Sequence, residues 1–119
     1  MNVVLKNKPK QQSETAIRRA VKQYLEAMGF FVITNQQGLG SYRGLSDLTA
    51  LKDGTALWIE IKTSSKDSKQ SEYQAFFEER LKNSGGIYLL IRSVEEMEQA
   101  LIGLGFELKG QIKMFGGIV

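Results

Sequence analysis

Residues 44 to 62 read Gly-Leu-Ser-Asp-Leu-Thr-Ala-Leu-Lys-Asp-Gly-Thr-Ala-Leu-Trp-Ile-Glu-Ile-Lys. Asp53-Gly54 lies between two apolar runs, and a type I′ turn needs positive φ at both central residues, so the stretch predicts a β-hairpin. With those two residues as the turn, Lys52 faces Thr55, Leu51 faces Ala56, and the ladder carried back sets Asp47 opposite Glu60. A four-residue loop centred there gives the same register. Side chains alternate faces along a strand. Asp47, Glu60 and Lys62 therefore share one face, while Leu48, Ala50, Leu57, Ile59 and Ile61 share the other, which should pack on a core.

Two carboxylates directly opposite each other destabilise a sheet. A hard divalent cation would offset that cost, because carboxylate oxygens suit Mg²⁺ or Mn²⁺. A lysine two residues beyond Glu60 can hold or activate a water beside such an ion. The plain alternative is a solvated strand face that carries three charged residues by coincidence.

The 119 residues suit one domain with one core. There is no cysteine and no histidine, which excludes disulfides, Cys/His zinc sites, cysteine nucleophiles, Ser-His-Asp triads and histidine-dependent nuclease chemistry. Catalysis must then use carboxylates, Lys, Tyr, Ser or an oxygen-held metal. Lack of cysteine agrees with a reducing cytosol. No apolar run reaches the length of a membrane span, and the basic Met1–Lys10 segment has no apolar signal core.

The net charge is only +3, but it is unevenly spread. Lys6, Lys8, Lys10, Arg18, Arg19 and Lys22 crowd the first 22 residues, against the single acid Glu14. A basic end suits a phosphate-backbone partner, or is simply a solvated arm. Residues 1–12 read as that arm, with a short strand at Asn2–Leu5, and residues 13–119 as the domain.

Ser13 to Met28 reads as an amphipathic helix. Ser13 is the N-cap; Ile17, Ala20, Val21, Tyr24, Leu25 and Met28 form the apolar stripe; Gly29 ends it. Glu14 continues the stripe toward the sheet. It serves either the helix dipole or as a third acidic group aimed at the Asp47/Glu60 face. Phe30–Thr34 predicts a buried strand. Asn35–Gly44 is a glycine-bearing loop that does not fit a dinucleotide fingerprint. Its Tyr42 and Arg43 either approach a phosphate backbone or decorate a long hairpin loop. Lys66 and Lys69 in the polar loop after Lys62 carry the same two readings.

Ser71–Leu81 predicts a second helix with a Ser71/Gln74 capping box and Tyr73, Phe76, Phe77 and Leu81 as its core face. Ile87–Ile91 predicts a central strand, parallel to the hairpin sheet after a helical crossover. Val94–Ile102 predicts a third helix with an acidic outer face, and Phe106–Leu108 with Ile112–Phe115 a terminal hairpin. Met114–Val119 could pair with another subunit. The fold class is α/β, a mixed sheet flanked by helices.

This order of elements resembles the PD-(D/E)xK nuclease superfamily, and within it a stand-alone VRR-NUC domain, from about Ser13 to Leu101. The matching residues are Glu14 in Ser-Glu-Thr-Ala-Ile, Asp47 in Gly-Leu-Ser-Asp, Glu60 and Lys62 in Trp-Ile-Glu-Ile-Lys-Thr, and Gln74 in Ser-Glu-Tyr-Gln-Ala-Phe-Phe. Ser46 stands where the family pattern usually has Pro. The resemblance implies a restriction-endonuclease-like core and a metal-dependent DNA phosphodiesterase. Asp47, Glu60 and the Ile61 carbonyl would bind Mg²⁺ or Mn²⁺, with Glu14 helping indirectly. Lys62 would orient the attacking water and Gln74 would assist; Arg18, Arg19, Lys22, Tyr42, Arg43, Lys66 and Lys69 are candidate DNA contacts.

Stand-alone viral and bacterial members are similar to homodimeric four-way-junction resolvases, so the resemblance also implies branched DNA as substrate, a homodimer and a cytoplasmic setting in a bacterial or phage-infected cell. It implies neither a membrane partner nor a nucleotide cofactor. Two other function classes remain on the sequence: a non-catalytic DNA-binding module on this fold, and a small partner-binding domain, which leaves the carboxylate pair unexplained.

Overall fold

The structure is a computed structural model that describes residues 12–65 and 68–108. Helix α1 (Glu14–Ala27) starts where Ser13 Oγ accepts a hydrogen bond from the Ala16 N–H at 3.1 Å. It buries Ile17, Val21 and Leu25 on one stripe. Gly29, at φ 93°, turns the chain out of the helix in the left-handed conformation that glycine adopts without strain.

Strand β1 (Phe31–Thr34) then runs antiparallel to β2 (Leu48–Lys52), and β2 pairs antiparallel with β3 (Thr55–Ile61). The β2–β3 register is Leu48↔Ile59 through Lys52↔Thr55. Asp53 and Gly54 have φ of 50° and 80°, the double positive pair that a type I′ turn requires. Helix α2 (Glu72–Asn83) carries the chain over to β4 (Ile87–Ile91), which lies parallel to β3. Helix α3 (Val94–Gly103) follows. The sheet order is β1-β2-β3-β4.

One face of the sheet is the core. Leu48, Ala50, Leu57, Ile59, Ile61 and Ile91 pack against Ile17, Val21 and Leu25 of α1 and Met97 and Leu101 of α3. The opposite face carries Trp58, Glu60 and Tyr88, since side chains alternate. Helix α2 covers it with Phe77, whose ring lies 6.1 Å from that of Tyr88. Among the described residues, no helix is long and apolar enough to cross a membrane.

Four expectations change. The strand after α1 is mostly exposed rather than buried, because it is an outer strand: Phe31 and Ile33 face outward and Val32 alone is buried. Strand β4 also lies at an edge of the described sheet, not its centre. No residue of α2 is fully buried, and Tyr73 and Phe76 face solvent; that helix lies over the sheet's polar face, so Phe77 and Leu81 are only partly covered. Phe106–Leu108 forms no strand. Residues 1–11, Lys66 and the segment 109–119, with the arm, the Asn2–Leu5 strand, the second half of the terminal hairpin and the Met114–Val119 pairing surface assigned there, lie outside the described residues.

Leu48 is wholly buried, whereas its strand neighbour Leu51 is 43% exposed. Leu48→Ala should lower the unfolding free energy by about 2–5 kcal/mol, and Leu51→Ala by about 0.5 kcal/mol or less, as read by urea denaturation.

Candidate active site

The hairpin register carries one step beyond β2, so that Asp47 sits at the mouth of the ladder across from Glu60. Asn35 fixes the backbone there. Its N–H donates to the Asp47 carbonyl at 2.8 Å, and its side-chain amide donates to the Ser46 carbonyl at 3.0 Å and to Thr49 Oγ1 at 2.9 Å. Asp47 Oδ2 then accepts the Ile61 N–H at 2.8 Å, which aims the carboxylate across the hairpin. Its other oxygen, Oδ1, faces Arg18 Nη1 at 3.8 Å.

Glu60 is 2% exposed, although its strand face is otherwise the polar one. Gln74 Nε2 donates to Glu60 Oε2 at 2.6 Å. Lys62 Nζ lies 3.7 Å from the same oxygen, its side chain 11% exposed. When Glu60 is ionised, buried Oε1 has no hydrogen-bond donor among the described residues; when it is protonated, the carboxyl bonds to the Asp47 side chain.

Burial, then the negative charge of Asp47, push the Glu60 carboxyl up to about 8; Lys62 opposes this and Glu14 adds to it. Glu14 sits half-buried in the first turn of α1. Its charge is felt at Glu60, but no group of three His, Cys, Asp or Glu side chains is gathered closely enough to hold a metal among the described residues.

Gln74 has two jobs at once. Its N–H donates to Ser71 Oγ and its Oε1 accepts the Ser71 N–H, completing the capping box, while its Nε2 holds Glu60. The start of α2 is itself braced by the glycine loop. Gly44 has φ 81°, and a Cβ there would lie 2.1 Å from the Tyr73 carbonyl oxygen. Arg43 stacks over the Tyr73 ring, 4.5 Å from its centroid, and donates to its hydroxyl at 2.7 Å. Tyr42 packs on Phe77 at 5.7 Å. Both residues thus brace the loop on α2.

Arg18, Arg19 and Lys22 line a hollow of about 200 Å³ with Thr15 and Thr34. Lys69 is exposed on the loop after β3. That loop is tied down by Arg92, which donates to the carbonyls of Thr63 and Ser68. Three residues escaped the sequence reading in these roles: Asn35, Arg92, and Arg18 as a partner of Asp47. Asn35 and Arg92 carry no local signal, and Arg18 looked like an outward-facing helix cation.

The oxygens fit a hard cation. Two are held by protein donors, and the remaining pair, Glu60 Oε1 and Asp47 Oδ1, is left with an orphan and a loose cation. Magnesium-type ions bind through one or two carboxylates and complete their shell with water and substrate phosphate, so a third carboxylate is not needed.

The whole arrangement matches a solved structure described as a VRR_NUC domain, with a TM-score of 0.64 over 78% of this chain and 97% of that one, at 22% identity. The chain has the VRR_NUC fold. It includes the restriction-endonuclease-like mixed sheet with its flanking helices. At that identity the likeness is one of fold. No family model and no curated protein matches the VRR_NUC-like chain by sequence.

The Glu60 shift fixes the sign of a pH effect. Between its ordinary value of 4.5 and about 8 the folded carboxyl keeps a proton that the unfolded one has lost, so stability falls as pH rises through that window. Metal-free protein in EDTA should lose unfolding free energy from pH 5 to pH 8 in urea titrations. Glu60→Gln should flatten that slope, and Mn²⁺ at pH 8 should restore stability to the wild type.

Proposed function

We propose that this chain is a Mg²⁺- or Mn²⁺-dependent, structure-selective DNA endonuclease that hydrolyses phosphodiester bonds, with the four-way junction as a candidate substrate. The observation that carries this reading is the buried, unpartnered Oε1 of Glu60 beside Asp47, with Lys62 and Gln74 both on the other oxygen. Two carboxyls pressed together and sharing a proton at neutral pH are costly to keep in a merely structural site, and a cation in place of that proton would leave both ionised.

In this reading Asp47, Glu60 and the Ile61 carbonyl hold the cation, which supplies Lewis-acid neutralisation of the phosphate. Lys62 orients the attacking water and faces the charge that develops on the phosphoryl oxygens. Gln74 would hold Glu60 Oε2, and Glu14 would add negative potential from α1. Arg18, Arg19 and Lys22 bind the DNA backbone; Lys69 and Lys66 extend that contact, and Tyr42 and Arg43 shape its border. Cutting a symmetric junction requires two sites, which a two-fold homodimer provides. The reading includes a cytoplasmic setting, in a bacterial or phage-infected cell.

The test is cleavage of end-labelled four-way junction, flap, duplex and single-stranded DNA in Mg²⁺, Mn²⁺ or EDTA. Cleavage should require metal and fall by about 10²-fold or more in Asp47→Ala and Lys62→Ala, with folding and DNA binding retained. Paired symmetric cuts in the junction support the resolvase; cuts confined to flaps, ends or single strands remove that part and leave the nuclease. Salt-sensitive binding without cutting in either metal would replace the enzyme with a DNA-binding module.

A further inference from the structure

We propose that Arg18 couples cation loading to DNA binding: without DNA it stands over the cation-facing oxygen of Asp47, and a DNA phosphate entering the adjoining hollow draws it away. This rests on the nuclease reading above and adds to it a regulation of the same site.

The partition of carboxylate oxygens makes the case. Asp47 Oδ2 is taken by the Ile61 N–H at 2.8 Å and Glu60 Oε2 by Gln74 at 2.6 Å. Lys62, the nearest lysine, also sits on Oε2. That leaves Glu60 Oε1 and Asp47 Oδ1 without a hydrogen bond from a protein donor and open to a cation, and Arg18 stands 3.8 Å from Oδ1. A positive group there both competes for the oxygen and repels a divalent ion.

The contact is also loose. At 3.8 Å it exceeds the 2.7–3.2 Å span of a hydrogen bond, and it lacks the two-pronged geometry that makes Arg–carboxylate pairs strong. The Arg18 side chain is 32% exposed, and it also lines the hollow with Thr15, Arg19, Lys22 and Thr34. Three cations and two hydroxyls around about 200 Å³ form an environment for a phosphate, with no carboxylate among the lining residues. Arg18 therefore has a choice of anion: Asp47 on one side, a backbone phosphate on the other. If phosphate binding frees Oδ1, DNA must tighten the cation, and by linkage the cation must tighten DNA by the same factor. The free enzyme would then carry its cation weakly and load it fully only on substrate.

The test separates this proposal from the nuclease reading. Mn²⁺ affinity of the protein without DNA is measured by calorimetry for wild type, Arg18→Gln, Arg80→Ala and Asp47→Ala. Arg80, exposed in the last turn of α2, gives the same charge change away from the site. Arg18→Gln should tighten Mn²⁺ by about 5-fold or more, while Arg80→Ala should leave it unchanged. In EDTA, Arg18→Gln should weaken duplex binding and reduce the salt slope by about one. Thermal melts establish that each variant is folded.

Unchanged or weaker Mn²⁺ binding in folded Arg18→Gln overturns the coupling and leaves the nuclease standing, as does equal tightening in Arg80→Ala. Undiminished Mn²⁺ binding by Asp47→Ala overturns the metal site itself, and the coupling with it.

Discussion

The Asp53-Gly54 turn leaves the hairpin one register. Both residues sit at positive φ, the twist of a type I′ turn matches that of the strands it joins, and each later pairing follows from it. A slip of one residue would exchange the faces, bringing Glu60 and Lys62 into the core and Leu57, Ile59 and Ile61 out of it. The apolar set buries completely, so the core and the acidic pair enforce the same register. The chain cannot build its core without placing Asp47 across from Glu60.

That placement is held against its own electrostatics. Glu60 loses nearly all contact with water and meets a second carboxylate, and both effects disfavour its ionised form. The fold answers on a single oxygen of Glu60, with one hydrogen bond from Gln74 at 2.6 Å and the charge of Lys62 at 3.7 Å. A network optimised for stability alone would satisfy both, since a partly satisfied buried polar group is costlier than an apolar one. The imbalance has a direction: the hydrogen-bond donors come from α2 and β3, and the underused oxygen of Asp47 faces α1. Helix α1 supplies what lies there, a carboxylate at Glu14 and a guanidinium at Arg18, one turn apart on the same side of the helix.

Much of this was legible because it is local. Turn chemistry and the two-residue alternation of a strand are enough to align Asp47 with Glu60 and to sort the core face. The helix caps at Ser13 and Ser71 follow from side-chain chemistry over three residues. What escaped depends on distance in sequence. Arg18 and Asp47 are 29 positions apart, and nothing in the α1 pattern reports that the helix end lies over the hairpin mouth. Asn35 serves the site through its place on the chain entering the loop, which composition does not mark. The aromatic stripe of α2 misled for a physical reason. On the sheet's polar face α2 packs through Phe77 on Tyr88 and Tyr42, so Phe76 faces outward and Tyr73 meets Arg43 at the surface.

Gln74 shows how those two levels meet. A capping glutamine ordinarily spends its side-chain carbonyl on the N-cap N–H and leaves its amide to solvent. Here the amide is turned onto Glu60, so the hydrogen bonds that start α2 also set the orientation of the buried carboxylate. Gly44 extends this link to the glycine loop, because its contact with the Tyr73 carbonyl leaves no room for a side chain. Loop, helix start and Glu60 are therefore one mechanical unit. Asp47 is tied both to the Asn35 backbone and, through the Ile61 N–H, to the residue beside Glu60.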